Sequence, residues 1–282
     1  MDTVVLWATG SGTREKTLVR HSPSAALRHA TRELSAAINA IHARCDEGSV
    51  HTVRVASRRS RALLWSLRPW IARSLADSCT GHLKQVAAAL SEVRDLDVLA
   101  RLLPTTVAMQ ADCDPAVTAK LRADVLRHRR KARHNLRSRL DSVDWLKISG
   151  AAVAEMQAVT KSIERRQVPG RKWRTRVRGT AEGVQRAARR AKRSEIHAVR
   201  VKAKRCRYAL AACDPDKGAS ELSAMQRIQQ AFGAYCDARM ARRWLRRNGA
   251  ELEEDLRRQL RRAARSIAER EFRHIRRLFK RS

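Results

Sequence analysis

Residues 50–61 read VHTVRVASRRSR, and residues 196–207 read IHAVRVKAKRCR. The two stretches share the register V/I-H-x-V-R-V-x-x-R/K-R-x-R, so identical or similar residues stand at equivalent places in both. A second pair follows in the same order, because residues 89–95 (ALSEVRD) resemble residues 231–237 (AFGAYCD). Repeats in a constant order are typical of a duplicated structural unit. We therefore predict an internal duplication whose two halves are related by pseudo-two-fold symmetry.

Each copy of the first block forms a cationic stripe when it is placed on an α-helix. At 100° per residue, one histidine and three basic residues of each copy fall within a sector about 80° wide, opposite an apolar face. The residues of the two stripes are His51, Arg54, Arg58, Arg61, His197, Arg200, Lys204 and Arg207. Both histidines are predicted near helix N-termini, where anions bind favourably and would stabilise a protonated imidazole. The stripes are therefore the candidate binding site for an anion.

Each stripe lies within a stretch of sequence that contains no acidic residue. No Asp or Glu occurs between Glu47 and Asp77, or between Glu195 and Asp214. Like charges three or four residues apart cost a helix about 0.2–0.5 kcal/mol per pair. Either an external polyanion offsets this repulsion, or carboxylates of other helices do. The acids considered for the second case are Asp95, Asp97 and Asp237.

The composition favours a helical protein with a polyanionic partner. The 282 residues include 61 Lys and Arg against 28 Asp and Glu, which gives a net charge of +33. This charge far exceeds the magnitude of about 2–8 that is usual for a small domain. With 11 Gly and 6 Pro, the chain has too few turn residues for an all-β protein, and 43% hydrophobic residues can bury a core. Nucleic acid, an anionic membrane surface and an inorganic polyanion are the candidate partners.

Hydrophobic periodicity predicts α-helices along the chain and no strand. Residues 1–21 are interpreted as a leader that need not be ordered, and residues 22–282 as the folded part. The first half, 22–166, is predicted to hold helices at about 24–41, 50–67, 80–103, 115–140 and 144–165, and the second half, 171–282, helices at about 171–192, 196–213, 219–248 and 250–280. Ser49, Asp114 and Ser194 are the expected helix caps.

The cysteines and the first residues indicate the expected compartment. Six cysteines are scattered without a CxxC pair, and the start, MDTVVLWA, lacks the basic residues of a secretory signal. No run of 18 apolar residues occurs, so no membrane span is predicted. We therefore expect a cytoplasmic protein whose thiols are free.

The stripe blocks belong to a larger set of motifs that has a known counterpart. The block at residues 51–61, RDLDV at residues 94–98, and the blocks at residues 197–208 and 226–237 together resemble the CHAD domain, the conserved histidine α-helical domain. The resemblance covers about residues 22–282. It implies an all-α fold of two pseudo-symmetric four-helix bundles. Members of this family bind inorganic polyphosphate in a basic central groove or pore, and some are found on polyphosphate granules in bacteria.

The resemblance implies which residues bind and what they bind. It assigns polyphosphate binding to the eight stripe residues, with Arg59 and Arg205 in second place. Arg129, Arg130 and Arg133 on the long helix are further candidate cations. A flexible chain of phosphates needs arginine forks and lysine charges at regular spacing rather than aromatic stacking. We expect a cytoplasmic binding protein of polyphosphate granules, with no catalytic residue, cofactor or metal.

Two alternatives remain open from the sequence. The first is a protein that binds nucleic acid non-specifically through phosphate contacts, although Tyr208 and Tyr235 are isolated and the six Trp residues are dispersed. The second is a metal-dependent phosphohydrolase, since the chain has nine His and several Asp. Neither HxxxH nor HExxH, the usual helical metal motifs, occurs in the sequence.

Overall fold

The described part of the chain in this computed structural model is helical. It comprises residues 22–108, 111–214, 219–248 and 253–280, and none of these residues forms a strand, as predicted. The predicted leader lies outside the described residues. The helices are α1 (Pro23–Ala43), α2 (Glu47–Leu67), α3 (Arg73–Ala89), α4 (Ser91–Leu102), α5 (Pro115–Leu140), α6 (Val143–Arg166), α7 (Gly170–Arg190), α8 (Ile196–Cys213), α9 (Ala219–Asn248) and α10 (Glu254–Lys280). Within these ranges, no helix is long and apolar enough to cross a membrane.

Eight of these helices pack as two rings of four. In the first ring α1 contacts α2, α2 contacts α3, α3 contacts α6, and α6 contacts α1. Helices α7, α8, α9 and α10 contact one another in the same cyclic order, while α4 and α5 pack on each other and belong to neither ring. The rings meet where α2 contacts α8, the two helices that carry the stripes. A two-fold relation between the rings stays a prediction.

The apolar positions of the helical pattern form the core. Leu27, Leu34 and Ile41 of α1 are fully buried, and Ala30, Ala37 and Ile38 between them are buried as well, which gives the three- and four-residue spacings of one helix face. Two buried tryptophans satisfy their indole N–H groups, as buried Trp side chains usually do. One of them, Trp173 of α7, donates to Ser66 Oγ of α2 at 2.9 Å. This hydrogen bond fixes the second half of the chain against the helix that carries the first stripe.

The helix caps were predicted with partial success. Asp114 caps α5 as expected, with proline at the first helical position. At α2, Asp46 is the N-cap, and Ser49 is the third helical residue of a capping box in which each side chain accepts from the other's backbone N–H. The prediction of Ser194 as a cap was wrong, because Glu195 holds the N-cap position of α8. The spacing of apolar residues alone did not show which of several neighbouring polar residues is the N-cap.

The predicted single helix at 80–103 was also wrong. Helix α3 already begins at Arg73, and the helical path is interrupted at Leu90, where φ is −98° and ψ is 0°. The carbonyl oxygen of Ala87 accepts from Arg54 Nη1 at 2.9 Å and from Ser91 Oγ at 3.0 Å. Because Arg54 comes from α2, the interruption coincides with a tertiary contact that periodicity cannot show.

A fully buried carboxylate attaches α5 to the rest of the first half. Asp97 of α4 accepts at Oδ1 from Arg129 Nε at 2.7 Å and from Arg133 Nη2 at 3.0 Å. Arg129 also lies 2.9 Å from Glu47 in the first turn of α2. A buried charge is strongly unfavourable unless it is paired in this way. The network therefore joins α2, α4 and α5.

Replacing Asp97 tests this structural role. Asp97→Asn should lower the free energy of unfolding by about 2–4 kcal/mol, because two partly buried arginines lose their shared carboxylate. Urea denaturation followed by circular dichroism measures the change. Asp77→Asn, which breaks an exposed ion pair with Arg68, is the matched control and should cost about 1 kcal/mol or less. Equal losses in the two variants would contradict the assignment.

Candidate anion-binding site

The structure brings the two stripes together. Helices α2 and α8 pack side by side, and the guanidinium of Arg59 lies 6.0 Å from the ring of Tyr208 on α8. Burial, together with the positive charges of Arg205 and Arg58, lowers the pKa of Arg61 below its ordinary value. The charged form of Arg61, in the first half, is thus destabilised by Arg205 of the second half. The stripes therefore form one cationic surface.

Lys204 is the most strongly perturbed group of this surface. Burial and the positive charges of Arg58 and Arg200 lower the pKa of Lys204 from 10.5 to about 7. Arg58 belongs to the first stripe and Arg200 to the second, so Lys204 experiences repulsion from both halves. A bound anion would favour its protonated form. The lysine is therefore placed where an external negative charge has the largest effect.

Four of the stripe cations form no ion pair in the described part of the chain, although Asp237 attracts one of them, Lys204. Arg58, Arg61, Lys204 and Arg207 form no ion pair with any residue in the described ranges. The Arg207 guanidinium instead lies 4.6 Å from the ring of its neighbour Tyr208. Arginine and lysine side chains that lie half-buried without a counter-charge are available to phosphate oxygens.

The acids that could have neutralised the stripes do so only in part. Asp237 Oδ1 lies 3.6 Å from Arg200 Nη2, and Asp95 attracts Arg54. Asp97, the third acid considered, pairs with arginines of α5 and forms no ion pair with a stripe residue. Burial raises the pKa values of Asp95 and Asp237 above their ordinary value, against the attraction of the nearby arginines. The surface keeps a net positive charge.

Two residues of the second repeated block hold the first arginine of each stripe. Arg54 Nη1 donates to Ser91 Oγ at 3.1 Å. At the equivalent place in the second half, Arg200 lies against Gly233, where an added Cβ would be 3.4 Å from Arg200 Nη2. The Ser91 hydroxyl oxygen accepts a hydrogen bond from Arg54, and Gly233 leaves space for Arg200, so each position accommodates a guanidinium. The sequence aligned these positions, but it did not predict their contact with the stripes.

The two histidines lie at the exposed ends of the stripes. His197 is in the first turn of α8, as expected. His51 lies one turn further inside its helix than expected, because α2 begins at Glu47. Both side chains are exposed, which leaves them accessible to a ligand that extends past the arginines.

The additional cations differ in their surroundings. Arg129 and Arg133 were expected to extend the binding surface; both form ion pairs with the buried Asp97, and their contact with a ligand stays a prediction. Arg59 pairs with Glu33 at 2.6 Å and Arg205 lies beside Arg61. Arg130 is exposed on α5. Arg59, Arg205 and Arg130 remain candidate secondary contacts.

The cysteines and the potential metal ligands of the described residues give no sign of a reactive thiol or a metal centre. All six cysteines are free. Burial raises the pKa values of Cys79, Cys206 and Cys213 to about 12, so these thiols stay protonated at neutral pH. In the described ranges, no group of three or more His, Cys, Asp or Glu residues is arranged to hold a metal ion.

The chain belongs to the CHAD domain family, whose sequence pattern matches residues 25–246. The protein is also similar to a solved structure, the CHAD domain from the plant Ricinus communis, with a TM-score of 0.69. That comparison covers 88% of this chain and 86% of the plant chain at 19% sequence identity, which shows the fold alone. None of the curated proteins matches the chain. The predictions of the family and of an all-α fold are confirmed.

The perturbed lysine makes a prediction about the unliganded protein. Folding lowers the pKa of Lys204 from 10.5 to about 7, so the charged lysine destabilises the folded state. This destabilisation is complete below the folded-state pKa and disappears as the pH rises towards 10.5. Lys204→Met should therefore raise Tm at pH 6 by more than at pH 9. Thermal unfolding at both pH values measures the difference, with exposed Lys84→Met as the control. A lower Tm at pH 6 would contradict the assigned environment.

Proposed function

We propose that the protein binds inorganic polyphosphate along the joined stripes of α2 and α8. The observation that carries the proposal is that four cations from two distant parts of the sequence lie together and form no ion pair within the described ranges. A linear chain of phosphates presents negative oxygens at regular intervals, which matches a row of guanidinium and ammonium groups. Binding would offset the repulsion that the folded protein contains in its unliganded state.

The aromatic content of the surface favours polyphosphate over nucleic acid. Proteins that bind single strands stack bases on exposed aromatic rings. Tyr208 is the aromatic residue closest to the stripes in sequence, and its ring already lies against Arg59 and Arg207. Non-specific nucleic-acid binding through phosphates remains the competing function, and competition between the two polymers distinguishes them.

We also propose that the protein holds polyphosphate without cleaving it and that it associates with polyphosphate granules. The stripes consist mainly of arginine, which donates hydrogen bonds to phosphate but does not exchange its proton at neutral pH. Polyphosphate incubated with the protein and Mg²⁺ or Mn²⁺ should therefore keep its chain length on a gel. Shortening of the chains would support a phosphohydrolase instead.

Neutralising three of the unpaired cations tests the proposed site. The triple variant Arg58→Gln, Arg61→Gln, Lys204→Gln should bind long-chain polyphosphate at least about 100-fold more weakly in a calorimetric titration, because it loses three charge-assisted contacts. The control variant Arg32→Gln, Lys84→Gln, Arg122→Gln removes the same charges from exposed positions on α1, α3 and α5. The control should stay within about threefold of the parent.

The same titrations identify the outcome that overturns the proposal. Equal losses in the two triple variants would mean that net charge alone, rather than the joined stripes, determines binding. In a competition at moderate salt, polyphosphate should displace duplex DNA from the parent protein. Displacement only in the opposite direction would favour the nucleic-acid function.

The proposed site predicts that binding takes up protons. Phosphate next to Lys204 raises its pKa from about 7, so a neutral lysine becomes protonated on binding between about pH 7 and 9. Affinity should consequently fall as the pH rises through this range. Calorimetry at pH 8 in two buffers of different ionisation enthalpy measures the uptake, which Lys204→Met should reduce. Equal uptake by the parent and the variant would remove Lys204 from the contact set.

A further inference from the structure

A cavity lined by arginines lies at another place in the second half. It has a volume of about 540 Å³ and lies between α9, α10 and the turn that precedes α8. Its lining includes Arg193, Arg239, Arg242 and Arg265, with Glu269 as the acid. This volume is in the range of ordinary small-molecule sites, about 300–1,000 Å³. The charge of the lining calls for an anionic ligand.

The glutamate does not neutralise this cavity. Glu269 accepts from Arg265 Nε at 2.9 Å, and this hydrogen bond, with the charges of Arg265 and Arg193, holds the pKa of Glu269 below its ordinary value. Arg239 and Arg242 form no ion pair within the described ranges. One carboxylate thus faces four guanidinium groups, and an excess of positive charge remains in a concave site.

Aromatic rings hold two of the arginines in place. The Arg193 guanidinium lies 5.0 Å from the ring of Phe272, and the Arg239 guanidinium lies 5.8 Å from the ring of Tyr235. The two rings are themselves 6.1 Å apart. Arginines that stack on aromatic faces lose less freedom when they bind a ligand. The cavity is therefore partly preorganised.

The internal repeat shows what this cavity lacks. When the register of the two repeated blocks is extended, by three residues before the first and by two after the second, Arg193 aligns with Glu47 and Arg239 with Asp97. In the first half these two acids pair with arginines of α4 and α5, among them Arg129, which contacts both. In the second half both positions carry arginine, so two negative charges that form ion pairs in the first half are replaced by positive ones.

We propose that an external, compact polyphosphorylated anion occupies this cavity, in place of the two carboxylates that the second half lacks. Arginine forks bind phosphate oxygens bidentately, and three or more charges on one small ligand match the four guanidinium groups. The triphosphate group is the chemistry that fits, whether it is inorganic or carried by a nucleoside. The site is separate from Lys204, which lies in the third turn of α8, whereas Arg193 precedes the helix.

Calorimetry with sodium tripolyphosphate tests this site independently of the stripes. The protein used carries Arg58→Gln, Arg61→Gln and Lys204→Gln, so the result does not depend on the proposed function. One equivalent should bind, and adding Arg193→Gln with Arg239→Gln should weaken it at least about tenfold. Adding Arg32→Gln with Arg122→Gln, the matched control, should leave the affinity unchanged. Equal effects of the two pairs, or no binding at all, would overturn the proposal.

Two further arms identify the ligand and guard against misfolding. Stronger binding of ATP than of tripolyphosphate would assign the site to a nucleoside triphosphate, and the reverse order to the inorganic anion. The double variant R193E and R239D restores the acids of the first half at both positions. It should raise Tm without ligand and abolish stabilisation by tripolyphosphate. A lower Tm with stabilisation retained would contradict the charge-reversal argument.

Discussion

The repulsion between cations on α2 and α8 is the interaction on which the rest of the site depends. Burial, together with the positive charges of Arg58 from one half and Arg200 from the other, lowers the pKa of Lys204 to about 7. The folded chain holds these groups together through its core and through contacts between the halves, such as the hydrogen bond from Trp173 to Ser66. Such stored repulsion is relieved by a negatively charged ligand. Affinity for a polyanion thus follows from the packing of α2 against α8.

Carboxylates near the stripes limit this repulsion without removing it. Asp237 pairs with Arg200, and Asp95 attracts Arg54, at equivalent places in the two halves. These arginines also have neighbours that position them, Ser91 and Gly233. The first arginine of each stripe is therefore fixed by the protein. The cations that follow in each stripe, Arg58 and Arg61 on α2 and Lys204 and Arg207 on α8, form no ion pair among the residues that the structure describes and are available to bind phosphate. The proposed test therefore replaces three of them.

The sequence predicted the features that depend on helical periodicity and on the internal repeat. The helical content, the buried face of α1 and the eight stripe residues all follow from periodicity and from the repeat, because residues three or four apart share a helix face. The break at Leu90 and the pairing of Asp97 with Arg129 and Arg133 could not be predicted in this way. Their partners are 32 to 37 residues away and are brought close only by tertiary packing.

A crystal structure of the protein with a polyphosphate of short, defined length tests the central claim most directly. The account predicts phosphate density between α2 and α8, within hydrogen-bond distance of Arg58, Arg61, Lys204 and Arg207. Density confined to α10 or to the outer surface of α5, with the joined stripes empty at saturating ligand, would contradict it.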